Sequence, residues 1–150
     1  MCSYCGCESE PLITSLMDDH AVIANFAYRA IQALDFEDTA AIRSLMAELA
    51  DRFRTHSLKE EAGLFAELAA AGEASDEVAQ LLADHRRLRP LLAFPGLSEQ
   101  PEVIRVALGD LERHAQTEDN DLFPYALQVL PARSWNHINA SAEPQPTSTG

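Results

Sequence analysis

One decapeptide pattern occurs twice in the chain and constrains the fold more than any other feature of the sequence. Residues 56–65 read HSLKEEAGLF and residues 114–123 read HAQTEDNDLF, so both follow H-x-x-x-E-[E/D]-x-x-L-F. Residues four apart share one face of a helix, so each copy directs an imidazole and a carboxylate the same way. These two groups together suit a transition metal such as iron. The repeat predicts two similar halves that meet at one site.

The rest of the chain is predicted to be helical. Hydrophobic residues make up 47% of it and only six residues are glycine, a composition that favours helix. Apolar residues recur in steps of three and four over four segments: residues 11–34, residues 39–71, a third helix capped by Ser75 and kinked or ended by Pro90, and residues 101–130. Short connections between amphipathic helices predict an all-α, antiparallel up-down-up-down four-helix bundle.

This interpretation divides the chain into three parts. They are a Cys-rich N-terminal segment (residues 1–10), the four-helix bundle (residues 11–131) and a flexible C-terminal tail (residues 132–150). The tail is expected to be flexible because its last residues are small, polar or proline.

Six polar side chains occupy core-facing positions of the predicted helices. They are His20, His56, Glu60, His85, His114 and Glu118. At 1.5 Å rise per residue, all six lie roughly 13–18 Å from the same end of an antiparallel bundle. A single histidine on an apolar stripe is usually an ordinary core residue, but buried carboxylates must be paired or bind a metal. Because six ligands exceed one tetrahedral zinc site, we expect two adjacent metal ions bridged by Glu60 and Glu118.

These residues resemble the hemerythrin-like (HHE cation-binding) family over about residues 11–130. The resemblance is carried by His20, His85, the two decapeptides and the Asp-His pairs at 19–20 and 84–85. It implies a hemerythrin-like fold and a non-haem centre of two iron ions with an oxo or hydroxo bridge. It also implies a small-molecule ligand such as dioxygen, nitric oxide or hydrogen peroxide.

Two positions depart from the oxygen-carrying hemerythrins, which have a second histidine four residues after the one on the third helix and a five-residue His-to-Asp spacing in the last motif. Here Arg89 follows His85 by four residues. Asp119 would match the spacing of five, but that step rotates about 140° around a helix whereas four residues rotate about 40°. Glu118 is therefore the predicted ligand.

The missing histidine should leave a coordination position open, which favours redox consumption of peroxide or nitric oxide over reversible oxygen carriage. A catalase-like or NO-reducing oxidoreductase is the predicted function. Binding or sensing of oxygen or nitric oxide, and iron storage, use the same ligands and are the alternatives. Arg89, Tyr28 and Tyr125 are candidate pocket residues, with ordinary core packing as the alternative for both tyrosines.

Charge and hydropathy exclude several partners. The formal net charge of −13 opposes binding to nucleic acid or anionic membranes. No apolar run approaches the ~20 residues of a membrane span, and the first residues do not resemble a secretory signal. We therefore expect a cytoplasmic protein; the sequence carries no signal of oligomeric state.

A second candidate site lies at the N-terminus. Cys2, Cys5 and Cys7 have a spacing that suits zinc or iron if His137 supplies a fourth ligand. A redox-active thiol pair and an inert tail are the alternatives. Both termini of a four-helix antiparallel bundle emerge at one end, well over 10 Å from the predicted metal layer, so these cysteines are not expected to be ligands there.

Overall fold

The computed structural model describes residues 10–142, and the regular elements among them are all helical. The α-helices are α1 (Pro11–Asp35), α2 (Thr39–Glu60), α3 (Ala66–Ala71), α4 (Ser75–Leu92), α5 (Pro101–Thr117), α6 (Phe123–Val129) and α7 (Ala132–Ala142), with a short 3-10 turn at Leu97–Glu99. The all-α class is thereby confirmed. Within the described chain, no helix is long and apolar enough to cross a membrane.

Local sequence explains most helix boundaries. Pro11 occupies the first turn of α1, where a missing N–H costs nothing. The Asp38 side chain caps α2 by accepting a hydrogen bond from the Ala41 amide at 3.1 Å. Gly72 ends α3 with a φ of 68°, a left-handed conformation that glycine adopts without steric cost.

One predicted boundary of the third helix is wrong, and Pro90 lies close to the other boundary. Ser75 is the first helical residue rather than the cap, and Ala74 precedes it with a φ of 53°. Pro90 lies inside α4, which continues to Leu92. Pro90 has no N–H to donate to the Arg86 carbonyl, so its effect falls within the last two turns of the helix.

Each decapeptide contains a π-helical turn that the predicted periodicity did not include. One π turn, Glu61–Phe65, joins α2 to α3, and the other, Glu118–Leu122, joins α5 to α6. The predicted second and fourth helices are therefore continuous helical runs with a wider turn inside each. Such turns are rare and occur frequently at functional sites. Both begin at or directly after the first glutamate of the decapeptide.

The core consists of two apolar clusters that the predicted metal ligands separate along every long helix. The upper cluster, as we name it, includes Ile23, Leu49, Leu88 and Leu108, and the lower cluster includes Leu16, Leu64, Leu81 and Phe123. In α1 and α4 the chain passes the lower cluster before its histidine, whereas in α2 and α5 it passes the upper cluster first. The polar layer therefore lies between two apolar regions.

The predicted flexible tail is wrong for residues 132–142, which form α7. Trp135 and Ile138 are three residues apart, lie on one face of α7 and are buried in the lower cluster, with 6% and 4% of their surfaces exposed. Burial of these two apolar side chains stabilises the packing of α7 against the lower cluster. Residues 143–150 and the cysteine segment with Cys2, Cys5 and Cys7 lie outside the described residues.

Candidate metal centre

The structure brings the six predicted side chains together in one buried layer. Their ligand atoms form two groups, each with its atoms within 4.8 Å of one another: His20, His56, Glu60 and Glu118 in the first, and Glu60, His85, His114 and Glu118 in the second. Glu60 and Glu118 belong to both groups. The arrangement is therefore suited to a pair of cations that share two carboxylates.

The imidazoles face each other in two similar pairs. His20 Nε2 lies 3.1 Å from His56 Nε2, and His85 Nε2 lies 3.1 Å from His114 Nε2. Glu118 Oε1 lies 3.2 Å from His20 Nε2 and 3.1 Å from His114 Nε2, so this single carboxylate contacts both pairs.

Glu60 completes the layer from the opposite decapeptide. Its Oε1 lies 3.1 Å from His85 Nε2, and its Oε2 lies 3.9 Å from His56 Nε2. Both oxygens of Glu60 and Oε2 of Glu118 are buried and lack a hydrogen-bond partner among the described residues. Burial and the neighbouring Glu118 carboxylate raise the pKa of Glu60 well above its usual range. Because buried carboxylates are costly unless paired or metal-bound, the donor set fits cations.

Each histidine has an outer carboxylate that fixes its orientation. The Nδ1 atoms donate to Asp119 from His20 at 2.8 Å, to Asp19 from His56 at 2.9 Å, to Glu61 from His85 at 3.0 Å and to Asp84 from His114 at 3.0 Å. A hydrogen on Nδ1 leaves the Nε2 lone pair directed into the layer, as metal ligation requires.

Sequence reasoning did not assign these outer carboxylates the part of hydrogen-bond partners to the histidines. Their signal was present in the acidic residue before His20 and His85 and in the second acidic residue of each decapeptide. The prediction that Glu118 rather than Asp119 enters the layer agrees with the geometry, since Glu118 is fully buried whereas Asp119 is 30% exposed.

The phenylalanine that ends each decapeptide also has a place at the site. Phe123 stacks on His20 with ring centroids 5.8 Å apart and planes inclined by 9°. Phe65 stacks on His85 at 5.4 Å and 11°. The two halves of the site are therefore similar in their aromatic contacts as well as in their ligand residues. Both rings belong to the lower cluster, so the layer is bordered by apolar side chains on that side.

His20 and His85, which occupy matching positions in the two halves, differ in pKa. Burial lowers the pKa of His20, but the carboxylates of Asp119 and Glu118 outweigh it and raise the value to about 9. Burial together with the His114 imidazole lowers the pKa of His85 to about 4, against the opposing effect of nearby carboxylates. Before any cation binds, positive charge is thus favoured at His20 and disfavoured at His85.

A cavity of about 560 Å³ between α1 and α5 reaches the layer, with His20, His56 and His114 in its wall. Tyr28 lines this cavity although 63% of its surface is exposed. Tyr125 is not in the wall; its hydroxyl donates to Glu73 at 2.6 Å, so its predicted place in the pocket is wrong. The π turn before α6 and the exposed face of that helix direct it elsewhere.

The other two candidate residues also have defined partners. Arg89 donates hydrogen bonds to Glu61 and to Ser57 Oγ, so its guanidinium faces α2 rather than the cavity beside His20. Arg89 is therefore not part of the wall of the cavity that reaches His20. His137, 73% exposed, contacts Glu67; the cysteines predicted to accompany it lie outside the described residues.

Comparison with known proteins agrees with this geometry. The family model of the hemerythrin HHE cation binding domain matches residues 12–126, a range that contains all six residues of the layer. No curated protein and no solved structure matched the chain. A family match over this share of the sequence defines membership, and the chain therefore belongs to the hemerythrin HHE cation-binding family.

Proposed function

We propose that two iron ions bind in this layer, one beside His20 and His56 and the other beside His85 and His114. The observation that carries the proposal is that Glu60 and Glu118 belong to both ligand groups. A single tetrahedral zinc takes four protein ligands at most, which would leave two of the six residues buried without a cation. Mixed imidazole and carboxylate ligands suit iron.

We infer that the four long helical runs are arranged antiparallel, up-down-up-down, around the two ions. The support is the order of the apolar clusters, which reverses between α1 and α2 and again between α4 and α5. This reversal brings side chains from all four runs to a common height, as a shared metal layer requires.

We further propose that the protein consumes hydrogen peroxide or nitric oxide. Each ligand group supplies two imidazoles and two shared carboxylates, fewer donors than the six that iron commonly takes, so an external molecule has room to bind. Bound iron would supply the one-electron chemistry. The chain's own contribution is to orient the four imidazoles, to exclude bulk water with the two apolar clusters and to admit a small molecule through the cavity between α1 and α5.

The test is turnover by the purified, iron-loaded protein. We expect oxygen evolution from peroxide or loss of nitric oxide, and we expect Glu118→Ala to lose both iron and turnover. Asp110→Asn is the matched control, because Asp110 lies on α5 but pairs with Arg87 and Arg113. Reversible binding of oxygen or nitric oxide without turnover would contradict an enzyme and identify a binding or storage protein.

A further inference from the structure

The two halves of the site differ at the entrances to the metal layer. The Asp-His pairs relate α1 to α4, and the decapeptides relate the α2–α3 run to the α5–α6 run. The interface between α1 and α5 therefore corresponds to the interface between α4 and α2. A cavity is present at each, of about 560 Å³ and about 750 Å³ respectively. Only the first of these two includes members of the ligand layer in its wall.

One pair of matching positions explains this difference. The residue four positions after His20 is Ala24, and the residue four positions after His85 is Arg89. Ala24 lines the cavity between α1 and α5 and leaves it open as far as His20. Arg89 lines the other cavity and bonds to Glu61, the outer carboxylate of His85. A long side chain thus stands where the first half has a methyl group.

A second pair of matching positions holds Arg89 in place. The residue after His56 is Ser57, whereas the residue after His114 is Ala115. Ser57 is fully buried, and its hydroxyl accepts a hydrogen bond from Arg89 Nη1 at 3.1 Å. Ala115 has no hydroxyl and lines the open cavity. The differences at both pairs close the α2–α4 side and open the α1–α5 side.

We propose that small uncharged molecules reach the metal layer through the cavity between α1 and α5, and that Arg89 closes the corresponding entrance between α2 and α4. This inference rests on the proposed function, since it describes the path of that ligand. Asp119 and Glu112 line the open cavity, and Arg105 in its wall is paired with Asp35 at 2.7 Å. Neutral molecules such as nitric oxide therefore enter more readily than anions, which the two carboxylates repel.

The kinetic test places an arginine at the open entrance. Ala24→Arg gives Asp119 the partner that Glu61 already has, and it should slow nitric oxide association with the reduced, iron-loaded protein by roughly tenfold or more in stopped flow. Asn25→Arg is the control, because Asn25 is exposed and outside the cavity wall. Adding Arg89→Ala to Ala24→Arg should restore fast association by opening the other side.

Iron content is measured for each variant, so a slow rate counts only in protein that holds as much iron as the wild type. Equal rates for Ala24→Arg and Asn25→Arg would overturn the proposed path. A double variant that stays as slow as Ala24→Arg would overturn the role of Arg89. If Ala24→Arg fails to fold, Ala115→Leu obstructs the same cavity from α5 and should also slow association.

Two further readouts separate the path from the proposed chemistry. Xenon pressed into crystals of metal-free wild-type protein should bind between Ala24 and His20 and be absent there in Ala24→Arg, whether or not the protein turns over any substrate. Xenon bound against Glu61 on the α2–α4 side would overturn the proposal.

The rate of azide association with oxidised protein should rise with salt concentration, because salt screens the repulsion between azide and the carboxylates of the cavity. A rate that falls with salt would show that the entrance attracts anions.

Discussion

Replacement of Asp84 tests the role of the outer carboxylates. Asp84 Oδ2 accepts a hydrogen bond from His114 Nδ1 at 3.0 Å, and the two side chains are 23% and 2% exposed. Loss of such a partner of a metal-bound histidine typically weakens metal affinity roughly 10–100-fold, which corresponds to about 1.4–2.7 kcal/mol. Because solvent reaches this contact only in part, we expect Asp84→Ala near the upper end and Asp84→Asn, whose amide oxygen still accepts, near the lower end.

The assay is a competition titration of the metal-free protein with a chelator of known iron affinity. His114 belongs to only one of the two ligand groups, so one of the two binding steps should weaken more than the other. Asp110→Asn is the control on the same helical run as His114. Unchanged affinity for both ions in a folded Asp84→Ala protein would refute the idea that the outer carboxylates orient the ligands.

Four other outcomes are expected. Glu60→Ala should lose iron, whereas Glu61→Ala should only weaken iron binding, because Glu60 lies in the layer and Glu61 bonds to His85 from outside it. Equal loss of iron from both variants, measured by metal analysis, would show that Glu60 and Glu61 do not have these different roles. Removal of iron by a chelator should lower the melting temperature measured by calorimetry, because a ligand that binds only the folded state stabilises it; an unchanged melting temperature would argue against the layer as the binding site. Trp135→Ala should cost about 3–5 kcal/mol in denaturant unfolding, while the exposed Arg133→Ala should cost little; a stable Trp135 variant would mean that α7 contributes nothing. Deletion of residues 1–8 should leave the iron content unchanged, and loss of iron in a protein still helical by circular dichroism would show that the cysteines reach the layer.

Helical periodicity made the layer predictable. His20 and His85 lie on apolar stripes, and the spacing within each decapeptide directs His and Glu to one face. The structure brings all of these side chains together. Their positions follow from the long, regular helical spacing of the apolar residues around them. Glu118 is fully buried whereas Asp119 is 30% exposed, a difference in burial that helical rotation by four or five residues predicts.

Features that depend on contacts between distant residues were not predictable in the same way. The π turns insert a wider turn without an obvious break in the apolar pattern. The direction of Arg89 depends on Glu61 and Ser57, which lie on another helical run. The helix α7 forms where composition suggested a tail, because Trp135 finds a buried place on the lower cluster. In each case tertiary packing decides what local sequence leaves open.

The proposal of two ions that share Glu60 and Glu118 is tested by the number of iron ions per chain, determined together with their magnetic coupling. Metal-free protein is loaded with iron under anaerobic conditions, oxidised, and analysed for metal content and by Mössbauer spectroscopy in a magnetic field. Because both ligand groups contain Glu60 and Glu118, we expect two irons per chain that couple to a diamagnetic ground state. Saturation at one metal ion per chain, or two irons that behave as isolated paramagnetic ions, would contradict it.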